Sequence, residues 1–402
     1  MTEKTDVIVV GGGYAGVMAA NRLTRRDDVN VTLINPRPAF VERIRLHQLV
    51  GGSDDALVDY RSILAVGVDL VVDTVTRIEA AGRRVILASG GALDYDYLVY
   101  AVGSGSGDPS VSGAAQYAYP ISTLEQARRL QPVIDAAPAS AALTVVGAGP
   151  TGLETASELA EQGRTVTLVC GKVLGPYLHP RTRRSVARRL AKLGVTVLEG
   201  SGAAVTGVTA DAVQLEDGRE LRSDVTIWTA GFSVPDLAAR SGLSTDVLGR
   251  LITDETLTSV DDVRIIAAGD SGAPSDLPVR MSCQSAIQLG PQAAETVLSR
   301  IAGKQPATFD VGFFGECISL GRRAGVVQYA KKDDTPTRVF YLGNRSMAML
   351  KEGVCKSTVW QMRQEARRPG MLDLWFKDRQ RQNVLRARPG KTTAPVDADR
   401  PA

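Results

Sequence analysis

Cysteine and histidine are scarce in this sequence, with four and two among 402 residues. Cys170, Cys283, Cys317 and Cys355 stand far apart, with no CxxC and no metal-ligand spacing. That argues against a metal site and predicts reduced thiols in a cytosolic protein. No uninterrupted apolar run approaches the roughly 20 residues of a membrane-spanning helix, so an integral helical membrane protein is excluded. The opening residues Met1-Thr2-Glu3-Lys4-Thr5-Asp6 lack the basic and apolar regions of a secretory signal. Neither sign of charge dominates: 47 Lys and Arg face 44 Asp and Glu, for a net +3, and no nucleic-acid footprint is visible. Aromatic residues make up only 5%, yet the hydrophobic fraction of 44% is that of a globular chain rather than a disordered one. The length predicts two or three domains. Glycine is in excess, at 40 residues, close to one in ten where about 7% is usual.

The excess is partly concentrated. Asp6-Val7-Ile8-Val9-Val10 reads as a buried parallel strand and runs directly into Gly11-Gly12-Gly13-Tyr14-Ala15-Gly16, a GxGxxG at Gly11, Gly13 and Gly16. Val17 to Leu23 suits a helix, and Asn30-Val31-Thr32-Leu33-Ile34 closes a βαβ unit. Such glycines serve a tight turn, close approach of the backbone to a pyrophosphate, and close packing of helix on strand. The helix N-terminus then offers unpaired N–H groups to phosphate oxygens. The acidic residue expected after the second strand is replaced by Asn35, which can still hydrogen-bond a ribose hydroxyl without charge assistance.

The pattern recurs. Ala142-Leu143-Thr144-Val145-Val146 leads into Gly147-Ala148-Gly149-Pro150-Thr151-Gly152, a helix follows from Leu153, and Thr165-Val166-Thr167-Leu168-Val169 closes the unit. Two such units in correct context predict two bound dinucleotides. Here too the acidic position is vacant: Cys170-Gly171-Lys172 carries nothing to repel a 2′-phosphate. The second unit is therefore open to NADH or NADPH, with Lys172 either a phosphate partner or a solvated surface lysine.

The pair of units resembles the two-dinucleotide-binding-domain flavoproteins of the pyridine nucleotide-disulfide oxidoreductase superfamily, closest to the type II NADH dehydrogenase-like and apoptosis-inducing-factor-like groups. Two further segments carry the resemblance. Tyr95-Asp96-Tyr97-Leu98-Val99-Tyr100-Ala101-Val102-Gly103 is similar to the family's DYLVLATG segment, and Arg264-Ile265-Ile266-Ala267-Ala268-Gly269-Asp270 to its FAAGD strand. Ile227-Trp228-Thr229-Ala230-Gly231 resembles the strand that returns the chain to the first domain. The resemblance implies an α/β fold of two Rossmann-like domains plus a C-terminal segment. FAD would lie on the first unit and NAD(P)H on the second, which is inserted into the FAD domain. Asp270 would hydrogen-bond the ribityl chain. The implied boundaries are 1–112 and 236–304 for the FAD domain, 113–235 for the NAD(P)H domain, 305–386 for the C-terminal segment and 387–402 for a disordered tail.

What is missing selects the subfamily. Disulfide reductases of this superfamily carry a CxxxxC after the first unit, but Pro36 to Gly52 contains no cysteine, and the other thiols are too distant in sequence to take its place. Phe40-Val41-Glu42-Arg43-Ile44-Arg45-Leu46-His47-Gln48 occupies that stretch. Arg45 and His47 are either a proton donor and anion partner for flavin or acceptor, or a paired and packed helix. Arg280-Met281-Ser282-Cys283-Gln284-Ser285-Ala286-Ile287-Gln288 resembles the AQxAxQ segment of type II NADH dehydrogenases, whose glutamines line a quinone site. Gln284 and Gln288 share a helix face, and Ser282 is placed to cap it. Gly290-Pro291 is expected to kink or interrupt that helix. Glu154 matches a family glutamate near the nicotinamide, or is a first-turn acid complementing the helix dipole.

Beyond residue 304, Phe313 to Gln328 reads as strands around a turn. Val359-Trp360-Gln361-Met362 and Met371 to Phe376, set among Arg363, Arg367, Arg368, Lys377, Arg379 and Arg381, suit a membrane interface, core packing or a homodimer contact. The expected activity is transfer of hydride from NAD(P)H to FAD and of electrons to a quinone-like acceptor, by a protein at the cytoplasmic side, soluble or peripheral to the membrane. A reductase for a soluble electron carrier, or a slow-turnover flavin sensor, is the alternative.

Overall fold

A computed structural model describes residues 4–107, 110–331, 335–371 and 381–387. Leu372 to Phe376, Lys377, Arg379 and the tail beyond Ala387 lie outside the described residues.

Two five-stranded parallel sheets carry the two glycine-rich units. In the first, strands order as 265–267, 97–100, 5–10, 29–35 and 68–72, every neighbour parallel. Val7 to Val10 are all buried, because helices 14–23 and 283–301 pack on one face and the antiparallel sheet of 75–79, 84–87 and 92–94 on the other, so no alternation of polar residues is tolerated. The second sheet orders as 118–120, 225–228, 142–146, 165–169 and 196–198, again parallel throughout. The helices that bear on the site are α1 (Tyr14–Leu23), α2 (Leu46–Val50), α3 (Leu124–Ala136), α4 (Pro150–Glu161), α5 (Pro180–Lys192), α6 (Cys283–Ile301) and α7 (Arg345–Arg367). None among the described residues is long and apolar enough to cross a membrane.

Each glycine-rich turn is fixed by backbone crowding. A Cβ on Gly16 would fall 1.8 Å from the Gly11 carbonyl oxygen, and one on Gly152 would fall 1.9 Å from that of Gly147. Gly11 (φ 103°) and Gly147 (φ 112°) sit in the left-handed region that disfavours any side chain. The two units are near replicas in conformation as well as in sequence.

The expected interruption at Gly290-Pro291 does not occur: α6 runs unbroken from Cys283 to Ile301. Both residues are buried at its packing face, and a Cβ on Gly290 would lie 2.3 Å from the Ala15 carbonyl oxygen. The proline forfeits one helical hydrogen bond, but close packing of α6 on α1 accommodates it and the helix continues past it.

The C-terminal segment forms an antiparallel sheet of 315–319, 325–330 and 336–343, followed by α7. Ile318, Leu320 and Val326 enter the core of the second unit, whereas Val359 and Met362 of α7 enter that of the first. Each such side chain contributes roughly 1.5–3 kcal/mol on burial, so this segment ties both units together. Two polar clasps reinforce it. The fully buried Arg22 of α1 pairs with Glu365 and with Glu295, the latter at 2.8 Å. Asn21 donates to the carbonyls of Ile63 at 2.8 Å and Met362 at 3.2 Å.

Candidate functional site

A cleft opens at the carboxyl end of the first sheet, where the switch between successive strands leaves room for a ligand. Gly11, Gly13, Tyr14, Ala15 and Asn35 of the first unit line it, with Ala101, Gly103, Gly269 and Asp270 from the two neighbouring strand ends. Four segments distant in sequence thus meet at one place. Gly13 has open space where a Cβ would project, as does Gly103. The cleft is therefore shaped for close approach of a ligand to bare backbone.

The Asp270 side chain is the most informative group. Its Oδ2 accepts from Ser104 Oγ at 2.6 Å and lies 3.9 Å from the Arg43 guanidinium. Its Oδ1 is buried without a hydrogen-bond partner. An orphaned carboxylate oxygen costs several kcal/mol unless a ligand donates to it, and a sugar-alcohol hydroxyl does so. The residues present thus fit a flavin dinucleotide.

Asn35 does not stand free. Its Oδ1 accepts from Gly12 N at 3.0 Å and its Nδ2 donates to the Arg37 carbonyl at 2.9 Å, so this amide shapes the turn. Tyr60, whose hydroxyl donates to the Gly12 carbonyl at 2.7 Å, braces the same residue. Arg37, Arg43, Tyr60 and Ser104 are cleft residues that motif reading passed over. Arg43 lies within the Phe40–Gln48 stretch, where nothing in the sequence tells one arginine from the next. Arg45 takes the other direction. It is buried and held by Glu42 at 3.2 Å, Gln48 at 2.9 Å and both carboxylate oxygens of Glu352 at 3.0 and 2.8 Å. It joins the stretch to α7 and is not among the residues lining the cleft.

Helix α6 borders the cleft through Ala286. Ser282 caps it, its side chain accepting from Ser285 N at 3.1 Å. Gln284 and Gln288 are half-buried on one face, and Gln288 Nε2 donates to the Gln284 carbonyl at 3.0 Å. Gln284 Nε2 is buried with no hydrogen-bond partner, a second unsatisfied polar group and, unlike the Asp270 oxygen, a donor.

At the second unit Gly149 likewise faces open space, Lys172 and Gly231 are exposed, and the Thr151 carbonyl accepts from Thr155 Oγ1 at 2.7 Å. Glu154 points instead into a buried polar cluster. Its Oε1 accepts from Lys351 Nζ at 3.0 Å and Ser319 N at 3.0 Å, and its Oε2 lies 3.7 Å from His47 Nδ1. Burial alone would raise the Glu154 pKa, but Lys351 and His47 hold it below the usual carboxylate range. Burial pushes the His47 imidazole down to about 4, against the attraction of Glu154 and with help from Lys351, Arg322 and Arg45. His47 is therefore neutral at physiological pH.

Lys351 is the residue that sequence reading missed. It also donates to the Cys317 carbonyl at 2.8 Å, and its charge acts on the thiols of Cys283, Cys317 and Cys355. Sequence separation hid this convergence. All three thiols are pushed up by burial, Cys283 and Cys317 to about 11, so they are protonated at neutral pH.

Comparison with known proteins agrees with this architecture. Residues 5–294 match the pyridine nucleotide-disulphide oxidoreductase family model. An NADH dehydrogenase-like protein of Mycobacterium tuberculosis is 29% identical over 353 residues, covering 80% of this chain and 87% of that protein. The type II NADH:quinone oxidoreductase of Staphylococcus haemolyticus is 26% identical over 382 residues, covering 85% and 93%. Among solved structures, the sulfide:quinone oxidoreductase of Aquifex aeolicus aligns with a TM-score of 0.75 at 20% identity, over 90% of this chain and 92% of that one. NDH2 of Plasmodium falciparum in complex with NADH aligns at 0.74 and 16% identity, over 93% and 99%, and shares the fold. With its two glycine-rich units and a family match over most of its length, the chain belongs to the pyridine nucleotide-disulphide oxidoreductase family.

Proposed function

We propose that this protein is an FAD-dependent oxidoreductase that draws electrons from NADH and passes them to a quinone, the reaction named for its type II relatives. The observation that carries the reading is the buried, unpartnered Asp270 Oδ1 at the cleft, with a second such group, Gln284 Nε2, on the helix that borders it. One suits a ribityl hydroxyl and the other a carbonyl oxygen of flavin or quinone. FAD, once bound, supplies the hydride-accepting and electron-releasing chemistry. The protein's own part is placement and electrostatics. Gly11, Gly13, Tyr14, Ala15 and Gly16 would receive the pyrophosphate at the N-terminus of α1, with Asn35, Ala101, Gly103 and Gly269 shaping the walls. The N-terminus of α6 would favour negative charge nearby. Gly147, Gly149, Thr151, Gly152 and Gly231 would hold the nicotinamide dinucleotide, and the lack of an acid within Cys170-Gly171-Lys172 extends the reading to NADPH. In this assignment the FAD domain is 1–112 with 236–304 and the NAD(P)H domain is 113–235.

We further infer that α7 carries a peripheral membrane contact. Its exposed face presents Met349, Leu350 and Trp360 beside Lys356, Arg363 and Arg367, a combination suited to an anionic lipid surface. The acceptor assignment is tested by replacing Gln284 and Gln288 with alanine. Reoxidation by menadione should slow while reduction by NADH is spared, and two unchanged half-reactions would remove the glutamines from the acceptor site.

A further inference from the structure

Sequence sets Arg381 among the basic residues of a surface-like segment, but the structure buries it at 8% exposure. It opens the short helix Arg381–Arg386. Its Nε and Nη2 donate to the two carboxylate oxygens of Glu255, both at 2.8 Å. A second N–H of Nη2 reaches the Pro274 carbonyl at 3.0 Å, and Nη1 reaches the Leu277 carbonyl at 2.9 Å. The guanidinium also lies 4.4 Å from the centre of the Phe309 ring. A planar fork of donors meets a carboxylate and two carbonyls at once, which the point charge of a lysine does not.

The two carbonyls belong to one turn. Leu277 N donates to the Pro274 carbonyl at 2.9 Å, so Pro274 to Leu277 close a four-residue turn. Its central residues, Ser275 (φ 51°) and Asp276 (φ 52°), both lie in the left-handed region, as in a type I′ turn. Glycine or asparagine is favoured at such positions, and a serine there is strained. Strain of this kind persists only where the surroundings over-determine the backbone. Ser275 N, donating to the Thr253 carbonyl at 2.7 Å, supplies one restraint. Arg381 grips the turn by its first and last carbonyls.

What the turn controls lies downstream. Upstream of it, strand 272–274 is buried and pairs with 251–253, which insulates Asp270. Downstream, residues 278–282 form neither helix nor strand and lead into the first turn of α6, where Gln284 stands. At Gly290, α6 is fixed by close packing on Ala15. Its first turn rests instead on the Ser282 cap and on the path of the chain before it. Arg280 holds the near end of that path, paired with Glu316 and stacked 4.1 Å from the centre of the Tyr177 ring. Arg381 holds the far end.

We propose that Arg381 is a positioning residue of the acceptor site. Its clasp keeps the 274–277 turn left-handed and so fixes where residues 278–282 deliver Gln284. The inference rests on the quinone reading above. It gives a part in acceptor binding to a residue that is not among those lining the cleft.

The test uses Arg381→Gln and Arg381→Lys as FAD-loaded proteins, reduced by NADH and then mixed anaerobically with a series of menadione concentrations. Loss of the hydrogen bonds to the turn should raise the half-saturating menadione concentration by ~5-fold or more. The limiting reoxidation rate and the reduction by NADH should stay within about twofold, the split produced when binding alone is weakened. FAD content should be unchanged, because Asp270 is insulated from the turn. Ser275→Gly removes the steric cost of the left-handed backbone, so adding it to either variant should return half-saturation to within about twofold of the parent. Unchanged half-saturation in both Arg381 variants would overturn the proposal, as would a rise that Ser275→Gly leaves in place. So would loss of FAD or of NADH reduction in both variants, which would make Arg381 a general brace. A parent that no quinone reoxidises would instead remove the acceptor reading itself, and this inference with it.

Discussion

Lys351 Nζ lies 3.0 Å from Glu154 Oε1 and joins the C-terminal helix to the first helix of the second glycine-rich unit. Both groups are buried, and each has another partner, the Cys317 carbonyl for the lysine and Ser319 N for the glutamate. A buried pair so satisfied is costly to break from one side. Lys351→Met or Glu154→Gln should each lower unfolding stability by ~3–5 kcal/mol. The double variant should lose less than the sum. Urea titration of the four proteins gives the coupling, and full additivity would show that the pair does not interact.

The same cluster makes stability fall with acid. His47 has its folded pKa lowered to about 4 from an ordinary 6.5, so between these values the unfolded chain binds the extra proton. Stability should therefore decline as pH drops from about 6.5 to 4, by roughly 3 kcal/mol from this residue. The depressed pKa of Glu154 acts in the same direction at still lower pH. His47→Gln should flatten the upper part of the curve in urea titrations at successive pH values; an identical slope would mean the ring titrates normally.

Gly13 and Gly16 should separate ligand approach from packing. Gly13 has open space at its Cβ position, but a Cβ on Gly16 meets the Gly11 carbonyl. Gly13→Ala should leave the apoprotein's melting temperature within a few degrees while weakening FAD binding. Gly16→Ala should destabilise the apoprotein itself by ~1–3 kcal/mol. Calorimetry of apo forms, followed by flavin titration, reads both. Equal apo stabilities would show that the two glycines do the same job.

Asp270→Asn keeps the side-chain shape and removes the charge. Charge-assisted hydrogen bonds contribute about 1.5–3 kcal/mol, so FAD affinity should drop by roughly 10- to 100-fold. Fluorescence titration of the apoprotein measures it, and unchanged affinity would mean that Oδ1 does not meet the cofactor.

Trp360→Ala together with Arg363→Ala should reduce co-sedimentation with vesicles containing anionic lipid and leave NADH-driven reduction of a water-soluble quinone intact. If both proteins pellet equally, α7 is not the lipid contact.

The two nucleotide-binding units were legible from sequence because each rests on local rules: a β-branched run, three glycines, a helix and a second strand. The parallel sheets and the turns at Gly11 and Gly147 follow from those rules. The place of Asp270 at the cleft and the Ser282 cap were legible through short segments whose geometry is also local. Lys351 was not, because its significance comes from an ion pair with Glu154, almost 200 residues away in sequence, and a lysine in a helical sequence ordinarily faces water. Arg43 and Arg45 could not be told apart, since a two-residue offset on a short irregular segment decides which faces the cleft. The unbroken α6 was misjudged at Gly290-Pro291 because tertiary packing on Ala15 overrides the proline's local effect. The three thiols around Lys351 were assessed by sequence spacing, which does not report their spatial proximity.

Sequential anaerobic mixing of the purified, FAD-loaded protein tests the central claim most directly. NADH should bleach the flavin's visible absorbance band, and menadione added next should restore it, each in a single turnover. A protein that takes up no FAD, or whose flavin NADH leaves oxidised, would contradict the account. So would one whose reduced flavin no quinone reoxidises.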